Sequence, residues 1–441
     1  MYSAADTIAA ISTPPGAGGI AILRISGGLA AEIGARLFSG RLKESHRLVH
    51  GRIVYNGEVL DDAMAVLMRA PRSYTREDVL EFHCHGGDAV CRRVLEAVLA
   101  LGARAAEPGE FTRRAFENGR IDLAQAEATM RLIGAQGEAA ARAALRQMDG
   151  AVSRLVGEAR ERLIDMLAAI AACTDFPDEI EEAPTAAHLL SEAEALSDTL
   201  QKACDARLGR VLGEGFQVVL VGRPNVGKSS LLNALLGEER AIVTAQPGTT
   251  RDAVQGTLLL SGVAVCLTDT AGLRGAEGEA EALGIERARR AMAGADLLLV
   301  TLDASQPLHA DDQQLLNDTA DRDRLILLNK ADLPILLDAP HDLAVSARTG
   351  QGLPELREAL TARARSAQAG GALLTQARHV QAAQRAIAAL HDMMETLRAG
   401  MPVDFAAVDA REALAALGEI TGESAEERVV DAVFAGFCVG K

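Results

Sequence analysis

At 441 residues the chain is long enough for roughly two to four domains, each able to bury a core of its own, and a single compact domain is not expected. Hydrophobic residues make up 49% and charged residues 24%, the balance of a soluble globular protein rather than a disordered or membrane one. The formal net charge of −16 argues against nucleic-acid binding by bulk charge. Residues 1–120 are near neutral, with 15 Lys/Arg against 14 Asp/Glu, so an RNA partner must find a local patch.

No Lys or Arg precedes Arg24, and the longest apolar runs, such as Met166 to Cys173, are too short to span a bilayer. The expectation is a cytoplasmic protein without a membrane partner. Six cysteines without C-x-x-C spacing suit a reducing compartment.

Residues 1–118 read as α+β, with strands expected at Thr7 to Ile11, Ile20 to Ser26, Ala63 to Met68 and Val79 to His85. The breaker Pro14-Pro15-Gly16-Ala17-Gly18-Gly19 separates the first two, and Val90, Val94, Leu95, Val98 and Leu99 predict a helix after the last. His83-Cys84-His85 invites a zinc reading. Alternation along a strand, however, turns Cys84 away from both histidines, which favours a strand end closing in the tight turn Gly86-Gly87.

From Asp122 to about Cys173 the pattern is Ala-rich and helical, punctuated by Gly134, Gly137, Gly150 and Gly157. One continuous helix would span roughly 75 Å, so kinks or separate helices are expected. Asp175-Phe176-Pro177-Asp178 breaks it, and a further helix runs from Thr185 to Leu208. Helical pattern resumes over Leu374 to Leu397, Phe405 to Leu417 and Ala425 to Phe434. The two helical flanks pack either as one domain that accepts an inserted domain or as two separate ones.

Between the flanks, Gly222-Arg223-Pro224-Asn225-Val226-Gly227-Lys228-Ser229 follows an apolar strand, Val218 to Val221, and opens a helical run at Ser230. This is a phosphate-binding loop: its N–H groups converge on a β-phosphate, Lys228 reaches the β/γ oxygens, and the Ser229 hydroxyl can ligate Mg²⁺. Asp269-Thr270-Ala271-Gly272 ends a second strand as D-x-x-G, placing Asp269 near Mg²⁺. Asn329-Lys330-Ala331-Asp332 ends a third, and the Asp332 carboxylate can accept from guanine N1–H and its exocyclic amine, which adenine does not present together. Ser346-Ala347-Arg348 adds a loop whose N–H can meet guanine O6. Four elements in order at strand ends make a GTP site. Thr244-Ala245-Gln246-Pro247-Gly248-Thr249-Thr250 lies where a switch segment belongs, with Thr250 as the second Mg²⁺ hydroxyl. Leu273 follows Gly272 where a Ras-like GTPase carries Gln, so hydrolysis must borrow a water-positioning group and a positive charge.

Gly-Arg-Pro-Asn-Val-Gly-Lys-Ser-Ser, Pro-Gly-Thr-Thr-Arg-Asp, Asp-Thr-Ala-Gly-Leu-Arg and the terminal Phe437-Cys438-Val439-Gly440-Lys441, together with N-terminal strings such as Thr13-Pro14-Pro15-Gly16 and Pro108-Gly109-Glu110-Phe111, resemble the tRNA-modification GTPase MnmE (TrmE) family over the whole chain. The resemblance implies a multidomain α/β + α fold: an α+β folate-binding and dimerisation domain (1–118), a helical domain in two parts (119–212 and 369–441, the second with the C-terminal tail) and an inserted Ras-like, doubly wound G domain (213–368). It implies a K⁺ ion beside the γ-phosphate, with Asn225, Thr244, Gln246 and Thr249 among its ligands. It places the catalytic glutamate at Glu281, with Glu279 as the alternative.

By the same resemblance a reduced folate, 5-formyl- or 5,10-methylenetetrahydrofolate, binds at Arg24, Glu81 and Arg120, where the family usually has lysine at the last position. Arg24 and Glu81 are open to the plainer reading of a cross-strand pair. The resemblance also implies a homodimer, a flavoprotein partner (MnmG) and tRNA as substrate, with C5 of the wobble uridine as the modified position. Cys438 is a candidate for the modification chemistry, or a packed small hydrophobe, and Lys441 closes the tail. The rival expectation is an Era-like RNA-binding ribosome-assembly switch, disfavoured because residues 371–441 carry 6 Lys/Arg against 10 Asp/Glu.

Overall fold

The computed structural model describes residues 6–237, 255–270, 279–368 and 372–440, without the side chains of residues 279–285 and 287. In chain order the first part contains β1 (Ile8–Ile11), β2 (Gly18–Ser26), α1 (Ala30–Leu37), β3 (Val49–Tyr55), β4 (Glu58–Met68), β5 (Val79–Gly86), α2 (Asp88–Ala100), β6 (Arg104–Ala105) and α3 (Glu110–Glu117). Helices follow: α4 (Leu123–Gly134), α5 (Glu138–Met148), α6 (Ala151–Asp175), α7 (Glu182–Ala203) and α8 (Ala206–Glu214). Next come β7 (Phe216–Val221), α9 (Lys228–Gly237), β8 (Gln255–Leu260), β9 (Val263–Asp269), α10 (Glu279–Gly294), β10 (Leu297–Asp303), α11 (Ala310–Asp318), β11 (Arg324–Asn329), β12 (Leu343–Ala344) and α12 (Leu353–Gln368). The chain ends in α13 (Ala377–Arg398), a 3₁₀ turn (Val403–Phe405), α14 (Ala406–Thr421) and α15 (Glu427–Ala435).

The chain divides into two compact units. One comprises Met1–Met130, Gln147–Ala193 and Ala388–Lys441. Its sheet has the order β3-β4-β5-β2-β1-β6, antiparallel except for the parallel pair β1/β6. One sheet face, with Leu23, Ile25, Leu80 and Phe82, is buried together with Ile33 of α1 and Val94 and Val98 of α2. Strand β3 was not anticipated from the sequence. Its exposed His50 and Arg52 interrupt the apolar signal, and its pairing with β4 holds it in register. In the same unit α6 buries Val152, Val156, Ala159, Leu163, Met166, Ile170 and Cys173, an alternating spacing of four and three that makes one apolar stripe. It packs on α14, whose buried Ala406, Ala410, Ala413 and Ala416 let the backbones approach. The Ala-rich stretch from Asp122 is three helices, parted near Gly134–Gly137 and at Gly150, while Gly157 is absorbed inside α6.

The other unit comprises Arg131–Arg146 and Glu194–Ile387. Its sheet runs β12-β11-β10-β7-β9-β8, parallel throughout except for the antiparallel edge strand β8. Alternate residues of each strand feed two cores. Phe216, Val218, Leu220, Leu297 and Leu299 pack with Leu231 of α9 and Leu356 of α12, while Val219, Val221, Leu298 and Val300 pack with Leu316 of α11. Burial on both faces is why these strands read as continuous apolar runs. Strand β7 lies between β10 and β9, where the crossovers diverge, so a crevice opens at its carboxyl end.

Candidate functional site: a GTP-binding crevice and a charged corner of the N-terminal sheet

At the end of β7 the chain enters the phosphate loop with Asn225 in a left-handed conformation, φ 65°. Gly227, at φ 96°, is required: a Cβ there would sit 2.3 Å from the Asn329 amide nitrogen. Val226 is buried, and its carbonyl accepts a 2.8 Å bond from Asn329 Nδ2. Lys228 is 5% exposed and its ammonium donates to the loop's own carbonyls at Gly222 (2.9 Å) and Arg223 (2.8 Å). Those bonds hold a positive charge where phosphate oxygens arrive. Ser229 and Ser230 are exposed at the start of α9. The Ser229 hydroxyl donates to the carboxylate of Asp269, at the end of β9, so two oxygen donors suited to a hard divalent cation stand together. Thr270, next along, donates its hydroxyl to Leu220 O at 2.8 Å and ties the two strand ends.

The base-side pocket has a volume of about 390 Å³. It gathers Gly227 and Ser230 with Asn329, Lys330, Asp332, Ser346, Ala347 and Arg348, which lie far apart in sequence. Asp332 accepts from Ser346 Oγ (2.6 Å) and faces the Arg348 guanidinium (2.9 Å). The Ser346 bond, with help from Arg348, holds its carboxyl below the usual value, so it is an anion ready to accept two N–H donors. Ala347 N donates to Asn329 Oδ1 at 3.2 Å. Three groups escaped sequence reasoning. Leu333 contributes an apolar wall. Asp303, buried at the end of β10, accepts from Lys330 Nζ at 2.6 Å. Burial opposes its charge, yet the bonds from Lys330 and Ser305 keep its carboxyl below the ordinary range. Arg223 pairs with the buried Asp312 at 2.8 Å. Asp303 had a signal, since it ends an apolar strand as Asp269 does; Asp312 had none.

Of the other nucleotide residues expected from the sequence, Thr244, Ala245, Gln246, Pro247, Gly248, Thr249, Thr250, Ala271 and Gly272 lie outside the described residues. Glu281 lies within α10 with its side chain outside the description, and Lys441 is likewise outside.

In the other unit, Arg24 on β2 is directly opposite Glu81 on β5, and the two form a 2.8 Å ion pair. The Arg24 guanidinium lies 5.6 Å from the Tyr74 ring centre and 5.7 Å from that of Phe111. Arg120 is 5.0 Å from the Tyr74 ring and donates to Ser73 O at 3.1 Å. One aromatic ring thus carries both cations. The C-terminal tail docks at this corner: Val439 bridges Pro108, Gly109 N donates to Cys438 O at 3.3 Å, and Gly440 O accepts from Ser12 Oγ at 3.0 Å and Arg24 Nη1 at 3.5 Å. Phe437 and Phe434 are buried with Leu123 and anchor it, while Cys438 is exposed. Cys84 is buried on the core face, and burial pushes its thiol up to about 12. The neighbouring His85 is exposed and bonds Asp61 at 2.7 Å. Among the described residues no helix is long and apolar enough to cross a membrane.

A parallel sheet with a phosphate loop at its central strand, a serine–aspartate pair for a divalent cation and a guanine-reading carboxylate defines a G-domain GTPase. Comparison with known proteins extends this beyond the G domain. Residues 7–120 match the family profile described as GTP-binding protein TrmE N-terminus, and residues 123–438 match the MnmE helical domain. Proteins named tRNA modification GTPase MnmE align along the whole chain. That of Chloroflexus aurantiacus is 48% identical, over 99% of this chain and 100% of the relative. Those of Geobacillus kaustophilus and Lactiplantibacillus plantarum are 44% and 42% identical, over 99% of this chain and 99% and 98% of their own lengths. The chain belongs to the MnmE family of tRNA modification GTPases.

Proposed function

We propose that the chain is a potassium-activated GTPase that works as a cytoplasmic homodimer with the flavoprotein MnmG to install an aminomethyl-type group at C5 of the wobble uridine of certain tRNAs. GTP hydrolysis drives a conformational cycle rather than the carbon chemistry. The observation that carries the reading is the full-length likeness to proteins named tRNA modification GTPase MnmE, in a chain whose crevice gathers a phosphate loop and a guanine-reading carboxylate. Lys228 exchanges its loop carbonyls for phosphate oxygens, Asp332 and Ala347 orient the base, and Ser229 and Thr250 hold Mg²⁺, which offsets charge on the phosphates. Asn225, an exposed neutral oxygen donor at the loop, is the described part of a K⁺ site completed by Thr244, Gln246 and Thr249, and Glu281 orients the attacking water. Potassium supplies there the positive charge that an arginine finger supplies elsewhere.

Arg24, Glu81 and Arg120 with Tyr74 fit a folate, because a carboxylate, two cations and an aromatic face match its N–H donors, its anionic end and its flat ring. The folate, as 5-formyl- or 5,10-methylenetetrahydrofolate, supplies the one-carbon unit. The tail brings Cys438 to that corner. The Era-like reading has no need of this corner, nor of relatives that align from end to end under another name.

The test is mass analysis of wobble uridines in tRNA from cells lacking the protein. Modification is expected to disappear, to return with the wild-type chain, and to stay absent with Cys438→Ser although that variant hydrolyses GTP normally. Unchanged wobble uridines in the deletion would refute the function, and full rescue by Cys438→Ser would remove the thiol from the chemistry.

A further inference from the structure

The segment Asp175-Phe176-Pro177-Asp178, which ends α6, takes no part in either site described above. It meets the 3₁₀ turn before α14 in a pocket of about 240 Å³ lined by Cys173, Pro177, Ile180, Val403 and Asp404. A 2.9 Å bond from Val403 N to the Glu182 carboxylate joins its two walls. Around it large apolar side chains face outward: Phe176 is 56% exposed, Phe405 53% and Val408 64%. Phe405 at the end of the 3₁₀ turn and Val408, Arg411 and Glu412 of α14 follow helical spacing on one outward face.

The charge around these apolar groups is mostly negative. Residues 173–184 and 398–412 contain eight Asp/Glu against two basic residues, Arg398 and Arg411. Burial, and then the neighbouring carboxylates of Asp392 and Glu412, push the Asp409 carboxyl up. Apolar rings exposed beside a pocket and rimmed by carboxylates make a docking surface rather than a solvated face. The charge decides the occupant. RNA is repelled, and a second copy in a two-fold arrangement sets carboxylates on carboxylates.

We propose that this end of α6 and α14 binds a partner protein through a basic amphipathic segment, with apolar side chains entering between Phe176 and Phe405 and Lys/Arg meeting the acidic rim. The surface is independent of the nucleotide and folate readings.

The test uses the full chain and a labelled synthetic peptide that forms an amphipathic helix, Leu and Phe on one face and Lys and Arg on its flanks. The same peptide with every Lys and Arg replaced by Glu is the comparison, and fluorescence anisotropy at physiological salt is the readout. The basic peptide is expected to bind at least about tenfold more tightly than the acidic one. Both Phe176→Ser/Phe405→Ser and Asp178→Asn/Glu181→Gln/Asp404→Asn are expected to weaken it by about tenfold or more, with thermal midpoints unchanged. The control Asp318→Asn/Asp321→Asn/Glu355→Gln removes as many charges elsewhere and is expected to leave binding unaltered. An equal loss in that control would reduce the effect to bulk charge and overturn the proposal. So would failure of the basic peptide to bind, or dissociation of the chain into a smaller species on Phe176→Ser/Phe405→Ser, which would assign the face to self-association.

Discussion

Replacing Gly440 by Ala tests whether the tail is held by its backbone. Gly440 has φ 93°, and a Cβ would lie 2.7 Å from Ile11 O and 2.8 Å from Ser12 Cα, both backbone atoms. The left-handed conformation alone costs an alanine about 1–2 kcal/mol, and the overlap adds to it. Against this stand the bonds that Gly440 O accepts from Ser12 Oγ (3.0 Å) and Arg24 Nη1 (3.5 Å) and the Gly109 N–Cys438 O bond of 3.3 Å. At roughly 0.5–1.5 kcal/mol each, they contribute about 1.5–4.5 kcal/mol. The conformational cost and the overlap together offset a large part of this, so the released tail gains population. Phe437 stays buried with Phe434, and release is confined to the last residues. Hydrogen exchange at the Gly109 amide reads this directly. Its protection is expected to fall by about tenfold or more in Gly440→Ala, and to remain in Val439→Ala, whose side chain is 52% exposed. GTP turnover, whose groups belong to the other unit, is expected to be unchanged. Wild-type protection at Gly109 in Gly440→Ala would refute the reasoning.

Asp332→Asn removes a carboxylate that accepts two N–H groups of guanine, each worth about 1.5–3 kcal/mol; GTP affinity is expected to drop by about 10²–10⁴-fold and preference to move toward xanthosine triphosphate in nucleotide titrations, and unaltered guanine preference would move the role elsewhere. GTP turnover is expected to be faster in K⁺ than in Na⁺ at equal ionic strength, and Glu281→Ala to lower it by about 10²-fold with nucleotide binding kept; equal rates in the two salts would remove the potassium site. Calorimetry with 5-formyltetrahydrofolate is expected to give heat with the wild type and about 10- to 100-fold weaker binding with Arg24→Ala, the loss of one charge-assisted bond, while sedimentation without nucleotide shows a dimer; no heat with the wild type would end the folate reading. The hydrogen bond to Asp61 raises the His85 imidazole above its ordinary value, so any stabilisation from this pair is complete below the unfolded value and fades as pH rises through the folded one. Asp61→Asn is expected to lower that midpoint in an NMR titration, and an unmoved midpoint would count against the pairing.

The nucleotide motifs were legible because each sits at the carboxyl end of a strand buried on both faces, where a continuous apolar run followed by a few polar residues is a local pattern. Asp269 and Asn329 are of this kind. Tyr74 was not legible, because its link to Arg24 and Arg120 depends on pairing across β2 and β5 and on where α3 lies. The helix breaks show the same limit. Gly157 and Gly150 look alike in sequence, but the stripe from Val152 to Cys173 carries the helix through Gly157, at a cost of about 1 kcal/mol relative to alanine. At Gly150 the backbone turns left-handed, φ 79°. Strand β3 exists by its pairing with β4, which no local pattern announces.

Asn329 holds the carbonyl of Val226 with one end of its amide and the N–H of Ala347 with the other. It acts as a spacer of fixed length between the loop that meets phosphate and the loop that meets the base. Their distance is therefore set before any nucleotide arrives, and a ligand that spans both does not pay twice for ordering them. Guanosine and pyrophosphate offered separately have the same surfaces to touch but forgo that advantage, since each loses its own freedom of motion on binding. The crevice measures the length of a nucleotide as well as the identity of its parts.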